Sequence, residues 1–164
     1  MTSLSPLDER LLRRAIALSA LARAAGNEPY GAVLAGSDGE VLLEGLNTQN
    51  TARDCTAHAE LELARAASAR FDPRVLATCT VYASGEPCPM CAGALYWAGV
   101  GRIVFALSIA SMTELAGATV DELRARCADV LGTGTRRVEV LGPALEGEAR
   151  RVFTDPLPGR SPPP

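Results

Sequence analysis

The sequence predicts an α/β sandwich, a three-layer fold in which a central sheet is covered by helices on both faces. Three observations predict it. Short apolar runs alternate along the chain with segments of helical periodicity, the pattern of strands interleaved with helices. Turn and cap residues punctuate each change, as at Ser5-Pro6, Ser37-Asp38-Gly39 and Glu86-Pro87-Cys88. The 164 residues, 48% apolar and 21% charged, suffice for one domain with a real core, and they contain no internal repeat.

The elements follow in order. Ser5 caps a first helix, Pro6 sits in its first turn, Asp8 and Glu9 suit its positive end, and Gly26 stops it. Gly31–Ala35 and Val41–Gly45 read as two strands joined by a tight turn, and Asn47–Asp54 as a polar loop. A second helix is expected from Thr56, as N-cap, to about Ala69. Cys79–Ala83 reads as a buried strand, Ser84–Pro87 as a turn, Cys88–Ala98 as a helix and Arg102–Ala106 as a strand. Val120–Val130 is expected to be helical, Arg137–Leu141 extended, and Gly147–Phe153 a short last helix. The folded domain is expected to span residues 1–154, with 155–164, rich in proline, as a disordered tail.

A net charge of −3 argues against a broad nucleic-acid surface, because phosphate neutralisation by Lys and Arg supplies most non-specific affinity. A small neutral substrate fits this balance better. The first residues lack the basic start and apolar run of a signal peptide. The longest apolar stretches fall short of the ~20 residues a membrane helix requires. A cytoplasmic protein is the expectation, and its five cysteines are then thiols or metal ligands before they are disulfides.

Only one histidine is present, in Thr56-Ala57-His58-Ala59-Glu60, and Pro87-Cys88-Pro89-Met90-Cys91 follows thirty residues later. With Cys88 opening a helix, Cys91 lies one turn on, on the same face, so both sulfurs reach one ion. The helix N-terminus favours thiolates, and one imidazole with two thiolates suits tetrahedral zinc. Three protein ligands leave a fourth position for water, whose pKa zinc lowers toward ~7. Glu60, two residues from His58, is placed to move that water's proton without binding the metal. The combination H-x-E with P-C-x-x-C is the signature of zinc deaminases. A closed structural site with Cys55 as fourth ligand is the alternative, while Cys79 and Cys127 read as buried apolar residues.

With these motifs the chain resembles the cytidine deaminase-like superfamily, in the branch of guanine, cytosine and tRNA adenosine deaminases. Pro29-Tyr30-Gly31-Ala32-Val33, Asn47 and Glu86-Pro87-Cys88-Pro89-Met90-Cys91-Ala92-Gly93-Ala94-Leu95 carry the resemblance beside the histidine motif. It implies a five-stranded mixed sheet, one zinc between two helix N-termini, a homodimer, and hydrolytic release of ammonia from an aminated ring. Guanine leads among the candidate substrates, because Tyr96-Trp97-Ala98 is similar to the guanine deaminase pattern. The alternatives are tRNA adenosine-to-inosine editing, to which Arg136–Val140 is similar, and a cytosine or cytidine substrate. Asn47 matches an asparagine that bonds the base, and Ala59, between His58 and Glu60 in the histidine motif, is a further candidate substrate-binding residue. Tyr30 and Trp97 are candidate walls for a flat ring. Ser111 stands where guanine deaminases carry an aspartate, so Glu114, one turn later, is the expected substitute.

Overall fold

A computed structural model describes residues 4–117 and 123–155. Its strands are β1 (Gly31–Ala35), β2 (Val41–Leu46), β3 (Thr80–Gly85), β4 (Arg102–Leu107) and β5 (Glu139–Leu141). They form the expected five-stranded mixed sheet in the order β2-β1-β3-β4-β5. β1 is antiparallel to β2 and β3, whereas β3, β4 and β5 run parallel. The helices are α1 (Pro6–Ala24), α2 (Gln49–Ala52), α3 (Ala59–Arg70), α4 (Pro73–Leu76), α5 (Pro89–Ala98), α6 (Ile109–Ala116), α7 (Cys127–Gly132) and α8 (Glu146–Thr154).

Strand alternation sorts the sheet's side chains into two cores. Ala32, Leu34, Val81 and Ile103 point to one face, where Leu63 and Ala67 of α3, Leu95 of α5 and Leu131 of α7 cover them. Val33, Ala35, Tyr82, Val104 and Ala106 point to the other, under Leu11, Leu12 and Ala15 of α1 and Ala149 of α8. β1, β3 and β4 are buried on both faces, which is why they read as continuous apolar runs.

α1 is pinned at its start. Ser5 and Asp8 form a capping box, and Asp8 also accepts from Tyr82 Oη at 2.9 Å and from Arg102 Nη1 at 2.6 Å. Burial pushes the Asp8 carboxyl up, but the Arg102 guanidinium, the Ser5 donors and the Tyr82 hydroxyl outweigh it. They hold Asp8 far below the usual carboxylate range.

Several boundaries differ from the sequence expectation, each for a local reason. Thr56 does not cap α3: its N–H and hydroxyl both donate to Asp54 Oδ1, which closes a turn and leaves His58 as the capping residue. The expected loop 47–54 contains α2, held where Thr51 N–H donates to Asn27 Oδ1 and Gln49 N–H to Asn47 Oδ1. Ser84 and Gly85, expected in a turn, extend β3. The helix expected over 120–130 is α7, which starts only at Cys127, where its first N–H donates to the Glu86 carboxylate at 2.9 Å. Residues 120–122 of that expectation lie outside the described residues. So do residues 156–164 of the expected tail 155–164. Two short helices were not anticipated, α4 capped by Asp72 and α6 capped by Ser108. Among the described residues, no helix is long and apolar enough to cross a membrane.

Candidate metal centre and active site

Two helix N-termini meet at the site. His58 is the N-cap residue of α3, Cys88 is the N-cap residue of α5, and Cys91 lies in the first turn of α5 behind Pro89. Neither helix has a side-chain cap hydrogen bond from these two residues. α3 is seated by a close approach. A Cβ on Gly45 of β2 would stand 2.3 Å from the Ala59 carbonyl oxygen, so only glycine lets α3 start where it does.

His58 Nδ1 lies 3.7 Å from Cys88 Sγ and 3.5 Å from Cys91 Sγ. Zinc bonded at its usual lengths to one nitrogen and one sulfur, at a tetrahedral angle, separates the two atoms by about 3.6 Å. All three ligand atoms lie within 4.8 Å of one another, so the cluster fits one ion. The charges agree. The Cys91 thiol, donating to its neighbour, draws Cys88 down to about 4 against its burial, and His58 assists. The same contact pushes the Cys91 thiol up, and Cys88 raises His58. Two sulfurs competing for one proton beside an imidazole are the donor set a divalent cation relieves.

Cys55 is exposed and stands outside this cluster, so it does not close the site as a fourth ligand. Cys79 and Cys127 are buried, and burial pushes the Cys127 thiol up to about 12, as inert core positions require.

Glu60 sits in the first turn of α3 and is 5% exposed. Burial pushes its carboxyl up to about 7, against its own backbone N–H, the Cys91 thiol and His58. A carboxyl poised near neutrality beside a metal cluster matches the requirement for proton transfer at neutral pH.

The expected substrate residues divide. Asn47 is fully buried, donates one amide proton to Gln49 Oε1 at 2.7 Å, and receives the Gln49 N–H. Ala59 is buried at the first position of α3. Tyr30 stands edge-on to Phe153 of α8, with ring centroids 5.7 Å apart, and a Cβ on Gly85 would come within 3.2 Å of it. Trp97 is 86% exposed and touches Tyr96 edge-on, so it walls no site within the chain. Ser111 is buried, but Glu114 turns to the surface and pairs with Arg150 at 2.7 Å. The expectation that Glu114 replaces the aspartate is therefore corrected: its place on α6 directs it outward.

Sequence reasoning missed two carboxylates here. Buried Glu86 accepts the Ile109 N–H at 3.0 Å and the Cys127 N–H at 2.9 Å, tying α6 and α7 to the segment that carries Cys88. Glu146 Oε1 lies 2.7 Å from Ser111 Oγ. The place of Glu86 directly before Pro87-Cys88 was a signal for it; none pointed to Glu146.

Comparison with known proteins agrees with this geometry. Residues 5–107 match the family model described as the cytidine and deoxycytidylate deaminase zinc-binding region. The chain is 35% identical over 151 residues to a probable cytosine deaminase of Schizosaccharomyces pombe, covering 90% of this chain and 91% of that protein. It is 40% identical over 115 residues to the guanine deaminase of Bacillus subtilis, covering 70% and 71%. A solved structure in complex with 2,6-diaminopurine superposes with a TM-score of 0.73 at 25% identity, over 93% of this chain and 82% of that one. Matched over residues 5–107 and by a relative 35% identical over nearly its whole length, the chain belongs to the zinc-binding cytidine and deoxycytidylate deaminase family.

Proposed function

We propose that the protein deaminates a free nucleobase or closely related aminated heterocycle, releasing ammonia, with guanine as the leading substrate. One observation carries this choice of a small ring: α8 folds back over its own chain, so that Phe153 meets Tyr30 beside Gly85, three residues from Cys88. Such a roof suits a flat ring better than a long polyanion, and the net charge of −3 agrees. The 35% identity to a probable cytosine deaminase over nearly the whole chain keeps cytosine as the second reading.

His58, Cys88 and Cys91 would hold zinc. When bound, it supplies a Lewis acid that makes water nucleophilic near neutral pH. Glu60 takes one proton from the attacking water and passes it to the ring nitrogen beside the amino-bearing carbon. It then takes the proton of the hydroxyl now on that carbon and hands it to the amino group, which leaves as ammonia as the C–N bond breaks and the carbonyl forms. Its buried position excludes bulk water from that transfer. Asn47, with one amide proton committed to Gln49, retains another donor for the ring. Tyr30 supplies an apolar wall.

The protein acts as a cytoplasmic homodimer in this proposal. Met90, Gly93 and Trp97 share one face of α5, Trp97 is 86% exposed, and the space over Gly93 is open, which suits the approach of a second α5. The test is ammonia release from the zinc-loaded protein across guanine, adenine, cytosine, their nucleosides, azaheterocycles and a tRNA anticodon stem-loop. Turnover of a free base above every nucleoside and the RNA is expected. Preference for the stem-loop would replace this reading with RNA editing.

A further inference from the structure

We infer that Glu146 is the specificity-determining carboxylate of the site, reading a ring N–H of the substrate from the N-terminal turn of α8. The assignment rests on the base-deaminase reading above and deepens it. The chemical class that it selects is an aminated ring carrying an N–H donor on an edge away from the attacked carbon, as guanine does.

Glu114 on α6 and Glu146 and Glu148 on α8 have different surroundings. Glu114 pairs with Arg150 and Glu148 with Arg13, both on the surface. Glu146 is half-buried and makes no ion pair within 4.0 Å among the described residues, although Arg150, which pairs with Glu114, also feels its charge from farther off. Its Oε1 is held by hydroxyls instead: Ser111 Oγ at 2.7 Å and Ser108 Oγ at 3.4 Å, with the Ser108 N–H also at 3.4 Å. Ser108 Oγ in turn bonds Ser111 Oγ at 3.0 Å. These bonds fix one oxygen and leave the carboxylate without a direct ion pair among the described residues, so it can still accept a donor from a ligand.

The place is right for a substrate contact. Ser108 directly follows β4, and Cys88 follows β3 by three residues; the two strands are parallel, with Gly85 opposite Leu107. The Glu86 N–H donates to the Leu107 carbonyl at 2.7 Å and the Glu86 carboxylate accepts from Ile109, so the two loops are bonded together. Met112, one residue after Ser111, borders Gly85, as does Tyr30. The serine–glutamate group therefore stands at the carboxyl end of the parallel strands, the edge at which open α/β sheets bind ligands. Ser111 lacks the charge that recognition of a ring donor favours, and Glu146 brings that charge to it from another helix.

Glu146→Gln keeps an oxygen for the two serines and removes only the charge. The experiment compares kcat/KM of zinc-loaded wild type and Glu146→Gln on the best free base of the screen and on its ring-N-methylated analogues, with zinc content and melting temperature as controls. Expected is a loss of at least tenfold on the parent base. At one methylated position the wild-type penalty of at least tenfold collapses in the variant, because the lost donor and the lost charge are partners. Equal losses on parent and methylated bases, or no loss, would mean that Glu146 only clamps α8 to α6, and the assignment falls. Should Glu146→Gln not fold, Ser111→Ala is read in the same way: reduced methyl discrimination upholds the assignment and unchanged discrimination overturns it. Wild type inactive on every base sinks the base-deaminase reading as well, whereas an active wild type with an unchanged discrimination ratio sinks this assignment alone.

Discussion

The start of α1 and the starts of α3 and α5 are built from the same backbone and spend their side chains differently. All three capping residues, Ser5, His58 and Cys88, have extended φ/ψ. Ser5 turns its hydroxyl inward to the Asp8 N–H and closes a capping box. His58 and Cys88 leave their helices without a side-chain cap and face each other across 3.7 Å. A cap contributes about 1 kcal/mol to stability, so the two central helices forgo that amount at the positions where the ligands converge. The fold is secured at one end of the molecule, and the chemistry is assembled where local stabilisation has been given up.

The predictions break that contrast from either side. His58→Ala has the largest expected effect: zinc falls from about one ion per chain toward none and ammonia release disappears, since two thiolates do not complete a catalytic zinc site. Elemental analysis and the ammonia assay check it together. Glu60→Gln should keep both zinc and melting temperature while lowering kcat by at least ~10²-fold, the lower range for general acid–base catalysis. Loss of the metal in that variant would move Glu60 from proton transfer to ligand support.

At the other end, Asp8→Asn should leave kcat at neutral pH unchanged and destabilise the fold by about 2 kcal/mol, because the largely buried Arg102 loses its short charged hydrogen bonds and keeps only the Glu139 pair at 3.5 Å. The pH dependence follows from the depressed carboxyl of folded Asp8. Its contribution is fully present above the ordinary carboxylate pKa of ~3.9 and is lost as pH falls below it. Wild type should accordingly lose stability more steeply than the variant between about pH 4 and pH 2, as denaturant titrations would read. Ser5→Ala should cost about 1 kcal/mol and leave turnover untouched. Glu114→Gln has the smallest expected effect, within ~0.5 kcal/mol in stability and without change in specificity, since its Arg150 pair lies in solvent. A specificity change there would return Glu114 to the pocket.

The metal half of the site was legible in the sequence because its information is local. Cys88 and Cys91 sit on one helical face by spacing alone, and Glu60 follows His58 within the same turn. The alternation of runs likewise revealed every strand of the sheet, with ends shifted by one or two residues where Ser84 and Gly85 continue β3. On the substrate side, Glu114 and Trp97 were expected at the ring and instead face outward from the chain. Counting residues along α6 does not tell which of them faces inward, and Glu114 turned out to face Arg150.

By itself, then, the sequence determined the α/β sandwich and the H-x-E and P-C-x-x-C spacings, since these depend on periodicities within single elements, while the deaminase reading came from the resemblance that those motifs carry. Only the tertiary structure decided which carboxylates accompany them. Glu86 meets Ile109 and Cys127, and Glu146 meets Ser111, across separations of 23 to 41 residues. Contacts between elements that far apart are set by how helices pack on the sheet, and no local pattern encodes the direction in which a side chain on such a helix will point.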